Sequence, residues 1–370
     1  MFGFNAGGNV RRIAVLIIVL LALASSAPRA GDWTDKIDIG GDFRYRYDFV
    51  DDEELFQRHR QRIRMRLNVS AEVTNGINAV FQIASGTESP VSANQTLTDG
   101  FSSKEVQLNR AYVEGERPEI PGLAISAGKF KCPWFKPGNV ELVWDANLNT
   151  EGIVATYSRS SEDVNLRIMA SGQIIEERSA DEDSYLAGLQ AIGNYDMTLS
   201  SSLTLAASYY DYANTEGHPT FWKPELALGN TLDFRGGYAN DFNLLEFSGE
   251  VQFESDGIPF AIHGDFVSNT AADSDHTGWL IGMRAGNMTR QRGTWTVQYN
   301  YRKLEKDAVV GLFTDSVFRG AGTDGKGHKV WANLMIFDNT MIGIKYFNNK
   351  KGLDNGSNLQ RVIVDLSMNF

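Results

Sequence analysis

A single cysteine, Cys132, stands in 370 residues, which excludes an internal disulfide framework and a cysteine-based metal cluster. Histidine is nearly as scarce. His59, His218, His263, His276 and His328 are scattered, and none forms a His-x-x-x-His pair of the metal-binding kind. No excess of positive charge is present: the formal charge is -11, which argues against bulk nucleic-acid binding. After residue 24 no run is apolar enough for a membrane helix. No long helical pattern and no linker divides the chain, so one large architecture is expected rather than the two or three soluble domains that length alone suggests. Nine prolines against thirty-six glycines, with 11% aromatics, suit an all-β chain with many turns.

The N-terminus reads as a targeting segment. Arg11 and Arg12 precede an apolar core, Ile13 to Ala24, and small residues follow at Ser25, Ser26, Ala27 and Ala30. That core is too short to span a bilayer, so residues 1–30 are expected to be a secretory signal peptide and residues 31–370 the mature protein. Pro28 blurs the cleavage position. Cutting after Ala30 removes Arg11, Arg12 and Arg29 and leaves a charge of -14.

The stretch Arg58-His59-Arg60-Gln61-Arg62-Ile63-Arg64-Met65-Arg66-Leu67 carries the strongest signal. Every even position is arginine. A strand sends alternate side chains to opposite faces, so five guanidiniums share one face and the other face becomes apolar. On a helix the same residues would scatter around the circumference. The strand before it repeats the pattern: Asp42, Arg44, Arg46 and Asp48 alternate with Phe43, Tyr45, Tyr47 and Phe49.

From Lys36 onward one alternating segment follows another. Strands are expected up to about 49, then at about 58–69, 77–85, 104–115, 123–131, 151–159, 163–173, 184–195, 202–213, 243–254, 259–269, 277–287, 293–304, 328–337, 341–348 and 358–370. Residues 214–242 alternate in places but are assigned to one long loop. A count of 18 would require 231–241 and one further segment to pair. Short turns such as Thr74-Asn75-Gly76 and Asp256-Gly257 alternate with long loops. The fold class is therefore all-β: a transmembrane antiparallel β-barrel of about 16 strands, short turns on one rim and long loops on the other. Closure removes the exposed edges of so long a sheet. The last strand agrees. Val362, Val364, Leu366, Met368 and Phe370 share one face, with Ile363 the exception on the polar side. Tyr45, Tyr47, Tyr209, Trp295, Tyr299, Tyr301 and Phe370 fall near strand ends, where interfacial girdles are expected.

These residues resemble Gram-negative outer-membrane porins. Gly264–Asn269, Tyr299–Val310, Asp315–Gly320 and Thr323–His328 look like the putative-porin family, as do the arginine strand and the segment from Gly128-Lys129-Phe130 to Trp144-Asp145. The resemblance implies a 16-stranded channel, a homotrimer, and a third external loop folded into the lumen. It implies location in the bacterial outer membrane after export through the periplasm. Its partners would be outer-membrane lipid and lipopolysaccharide, the barrel assembly machinery, and small hydrophilic solutes or ions. No catalytic residue and no cofactor comes with it.

The expected function is passive, size-limited diffusion, with anions weakly preferred. Arg44, Arg46, Arg58, Arg60, Arg62, Arg64 and Arg66 form the candidate pore-lining ladder, since a charge facing lipid costs about 2–4 kcal/mol at the midplane. Acids opposite are expected from Glu141 and Asp145 and from Glu246, Glu250 and Glu254. Loop 132–149 is the candidate constriction, through Trp134, Phe135, Lys136, Glu141, Trp144 and Asp145. Phe370 is the candidate assembly signal. Cys132 is expected to be an inert packing residue. The alternative is a barrel with a non-channel role, either a lipase or protease at the rim using His59 or His276, or a structural or adhesion protein with a plugged lumen. No nucleophile motif surrounds either histidine.

Overall fold

The computed structural model describes residues 36–370. The expected signal peptide lies outside the described residues. Sixteen long strands follow one another: β1 (Ile37–Asp52), β2 (Arg58–Thr74), β3 (Ile77–Ser85), β4 (Val106–Glu116), β5 (Leu123–Lys131), β6 (Asn149–Ser160), β7 (Val164–Glu176) and β8 (Ser184–Thr198). Then come β9 (Ser201–Ala213), β10 (Asn243–Ser255), β11 (Ile258–Asn269), β12 (Thr277–Ala285), β13 (Trp295–Leu304), β14 (Gly325–Phe337), β15 (Thr340–Lys351) and β16 (Ser357–Asn369). Each pairs antiparallel with its sequence neighbours. β16 returns to β1 with Tyr45 opposite Leu366, which closes the barrel.

Strand identity follows from alternation. Along β10, Leu244, Glu246, Ser248 and Glu250 are buried inward while Leu245, Phe247 and Val251 are exposed outward. The outward set forms the apolar band that a lipid bilayer requires. Residues 214–242 stay out of the barrel and make only isolated bridges, such as Leu232 with Tyr238. The 16-strand count therefore holds over 18.

β3 stops early, opposite Arg66 of β2, and leaves the far half of β2 without a partner there. A two-residue segment of the following loop, Gln95–Thr96, takes that place opposite Ile63 and Arg62. Backbone donors that would otherwise be orphaned are satisfied in this way.

The main packed core lies inside the barrel, on one side. Loop 132–148 turns inward, and Trp134, Val140, Leu142 and Trp144 bury against Tyr210, Tyr212, Leu244 and Val267. A second loop, 305–324, folds in beside it through Val309, Val310 and Leu312. The wall of β1, β2 and the last three strands faces the space left over.

Candidate pore constriction

Register builds the cationic wall. Arg46 lies opposite Arg62, Arg44 opposite Arg64, and Asp48 opposite Arg60 across β1 and β2. On the other side of β1, Arg46 lies opposite Asp365. Three carboxylates anchor the arginines. Asp365 accepts two bonds from Arg46 at 2.6 and 2.8 Å and has Arg44 at 3.9 Å. Asp48, with no exposure, accepts from Arg361 at 2.8 Å and Arg60 at 2.7 Å, with Arg62 at 3.7 Å. Asp42 accepts from Arg64 at 2.7 Å and Arg66 at 2.6 Å. Seven guanidiniums thus share three acids, so the wall keeps a net positive charge. Arg58 has no ion pair among the described residues.

Facing this wall is a cavity of about 990 Å³, bounded by fourteen lysines and arginines and only five carboxylates. All seven arginines of the sequence ladder line it, joined by Arg110, Lys131, Arg319, Lys329, Lys345, Lys351 and Arg361.

The opposite boundary is the pair of inward loops. Gly138 sits at the tip of the first in a left-handed conformation, φ +58°, and its N–H donates to Glu250. A Cβ there would meet the His263 ring at 2.5 Å, so only glycine lets the tip lie flat on the wall. Trp134 seats over Gly188 in the same manner, where a Cβ would collide with its ring. Trp134 and Trp144 each stack edgewise on Tyr210 with centroids 5.0 Å apart.

Hydrogen bonds tie the two loops together. Asp145 N–H donates to Phe313 at 2.7 Å, Ser316 N–H donates to the Asp145 carboxylate at 2.9 Å, and the Thr314 hydroxyl donates to Leu142 at 2.7 Å. A buried charge cluster fastens both to the barrel. Asp315 lies 3.0 Å from Arg302 and 3.1 Å from Lys329, and Glu141 lies 3.2 Å from Lys329. The Arg302 guanidinium stacks 3.6 Å from the centre of the Phe318 ring.

The six loop residues singled out in sequence divide into three groups. Glu141 and Asp145 face the cavity. Trp134, Phe135 and Trp144 are anchors in the packed core, because aromatic surface is better buried than left in a wet lumen. Lys136 braces the loop by donating to the carbonyls of Trp144 and Asp145 at 3.3 and 3.4 Å.

The expected opposing acids also sit elsewhere. Glu246 is buried beneath the loop and accepts from Ser208 at 2.7 Å and Tyr210 at 2.9 Å. Glu250 is occupied by Gly138, and Glu254 is exposed near the short-turn end of β10. The loop covers the first two, so they cannot neutralise the ladder. Its acids come from its own wall. The signal for Asp42 and Asp48 stood in the same alternating strand as Arg44 and Arg46, and Asp365 stood on the polar side of the last strand. Lys329, Arg302 and Asp315 gave no local pattern, since three separate segments bring them together.

Burial first, then the facing Glu141 and Asp315 carboxylates, push the Asp145 carboxyl up to about 7. Burial also works to raise Asp315, but Lys329 and Arg302 outweigh it and hold that carboxyl well below its usual range. Ligand atoms of Glu141, Asp145 and Asp315 lie within 4.8 Å of one another. Lys329 and Arg302 already supply the neutralising charge there, so the set does not fit a metal site. Burial pushes the Cys132 thiol up to about 12, which leaves it unreactive near neutral pH.

His59 projects from the outward face of β2, bonds to the Tyr47 hydroxyl at 2.7 Å and packs on Phe49. His276 bonds the carbonyls of Asn269 and Ala272 in its own loop. Phe370 pairs through its backbone with Gly41 and is 66% exposed at the short-turn end. Ile363, the apolar exception in the last strand, packs with Phe318 and Phe347 under the second loop.

A family profile described as Putative porin matches residues 52–228 and 222–370. The chain belongs to that family. Solved porins share the fold. Pseudomonas putida OprB, in a structure at high pH, aligns over 91% of this chain and 95% of its own, with a TM-score of 0.60 and 9% identity. Salmonella typhi OmpF, in complex with daunomycin, aligns over 90% and 97%, with a TM-score of 0.55 and 11% identity. No curated protein sequence matches the chain. This porin is an integral outer-membrane β-barrel channel, with its third long loop inside the lumen.

Proposed function

We propose that this porin passes small hydrophilic solutes and ions by passive, size-limited diffusion and prefers anions at its constriction. One observation carries the reading: fourteen cationic side chains against five carboxylates around a cavity of about 990 Å³. Global charge points the other way, at -11. Local charge decides selectivity, because fields are screened within about 8 Å at physiological salt. Arginine stays charged at every relevant pH, so the ladder itself keeps its charge.

In the same reading, residues 1–30 are a cleaved signal peptide and residues 31–370 the barrel. Phe370, exposed at the chain end, serves as the assembly signal for the barrel assembly machinery. Three copies associate in the membrane through their outward faces, among outer-membrane lipid and lipopolysaccharide. The channel performs no catalytic step.

Single-channel recording of the refolded mature protein under a salt gradient tests selectivity. Stepwise openings with an anion-signed reversal potential are expected, and neutralising Arg60, Arg62 and Arg64 together should abolish that sign. A cation-signed potential in the unaltered protein would overturn the anion preference and transfer selectivity to Glu141 and Asp145. A folded barrel without conductance steps would overturn the open-channel reading.

A further inference from the structure

The cavity has two chemically unlike sides. On the wall, several guanidinium donors are left without acceptors. Arg58 has no carboxylate partner among the described residues. Arg62 has only Asp48, at 3.7 Å, and that carboxylate is already engaged by Arg60 and Arg361. The Nε atoms of Arg44, Arg60 and Arg62 are buried without a partner among the described residues. Guanidiniums without a close carboxylate, such as Arg58 and Arg62, suit a solute oxyanion, which accepts two parallel bonds from one guanidinium.

The long-loop rim of the same cavity is apolar. Phe56, in the loop before the arginine strand, is 95% exposed, and Trp222 and Leu226, in loop 214–242, are 37% and 38% exposed. Leu228 and Leu312 also line the cavity. These side chains lie on loops and line the cavity, so a girdle facing lipid does not account for them. Arg58, at the start of β2, is the ladder residue nearest to Phe56 along the chain. The ladder then descends to Arg66 over about 26 Å at the usual strand rise.

We propose that this cavity contains a subsite for organic carboxylates with an apolar body, the carboxylate held by the upper ladder at Arg58 and Arg62 and the hydrocarbon against Phe56 and Trp222. This rests on the anion-channel reading and narrows it to a solute class. A small inorganic anion uses the ladder and leaves the apolar rim wet. A neutral sugar can accept hydrogen bonds from the guanidiniums but brings them no counter-charge. A carboxylate bearing an aromatic or branched body satisfies both sides at once.

The test is current block in a planar bilayer at neutral pH, with benzoate, acetate or inorganic phosphate added to potassium chloride. Benzoate should halve the current at about one tenth of the acetate concentration, as partial burial of one ring implies. Replacing both Phe56 and Trp222 by alanine should bring the acetate-to-benzoate ratio toward one. Arg62→Ala should weaken both acids alike. The ratio is read within each protein, so a general change in conductance cancels. Phe56 and Trp222 are loop side chains with exposed surface, and migration of the heated and unheated protein on a gel verifies that each variant forms the barrel.

Equal block by benzoate and acetate in an anion-selective channel would overturn the subsite and leave the anion reading standing. Phosphate blocking below benzoate would also overturn it, by assigning the ladder to charge alone. An unchanged ratio in the Phe56 and Trp222 double variant would remove the rim from the site. A cation-selective channel that neither acid blocks would overturn the anion reading along with the subsite.

Discussion

Replacing Asp315 with asparagine should release both inward loops without dissolving the barrel. The side chain is 2% exposed and is the shared counter-charge of Arg302, also 2% exposed, and Lys329. Asparagine keeps the shape and can still accept the N–H bonds of Val317 and Phe318, which lie 2.9 and 3.2 Å from the Asp315 carboxylate. It removes the charge, and Glu141 alone then faces two buried cations. Breaking a buried ion pair from one side costs about 3–5 kcal/mol. At the lower figure, about 3 kcal/mol corresponds to roughly a hundredfold rise in the population of open loops. The barrel itself is held by its closed backbone ladder and should keep its heat-dependent gel migration. Hydrogen exchange of residues 138–148 and 309–316 should accelerate by roughly that factor, and single-channel current should flicker. Adding Lys329→Met removes one stranded cation and should recover part of the protection. Exchange in Asp315→Asn equal to that of the unaltered protein would refute the cluster as the fastening of the loops.

Loop order should also depend on pH. Asp145 titrates near 7, above its ordinary range, because burial and the facing Glu141 and Asp315 carboxylates disfavour its charge. A carboxyl raised on folding stabilises the folded arrangement fully below its unfolded pKa, and that contribution is lost as pH rises through the folded value. Protection of the amides of residues 141–148, measured against the intrinsic exchange rate at each pH, should therefore fall from about pH 4 to about pH 7, and Asp145→Asn should flatten that protection profile; a flat protection profile in the unaltered protein would contradict the placement of Asp145. Gly138→Ala should dislodge the loop tip, since φ is +58° and the added carbon would meet His263 at 2.5 Å. Larger single-channel conductance with faster exchange around residue 138 is the expected outcome, and unchanged values would contradict the contact.

Much of the barrel was legible because its signal is local. A strand's two faces are set by alternate residues, so Arg58 to Arg66 with Ile63, Met65 and Leu67 between them announce a wet face and a lipid face from ten consecutive positions. The same rule identified β16 and made Ile363 stand out as an exception. Its reason, packing against Phe318 beneath the second loop, is tertiary and carries no pattern in the last strand. The role of Trp134 and Trp144 was misplaced for the same cause. A loop rich in aromatics announces burial, but not whether the aromatics face the pore or the wall behind it.

The sequence by itself determined the closed antiparallel sheet and the seven-arginine face, because periodicity two and turn chemistry act between neighbours in the chain; whether 231–241 added strands was settled only by the structure. Only the tertiary structure decided what the arginines face. Asp42, Asp48 and Asp365 reach them through strand register and barrel closure. Glu246 and Glu250, which looked equally able to oppose them, are covered by a loop whose tip, Gly138, rests on the wall at His263. Loop placement inside a barrel is fixed by contacts between residues over a hundred positions apart, such as Glu141 with Lys329, and charge pairing at that separation leaves no spacing to read in a linear chain.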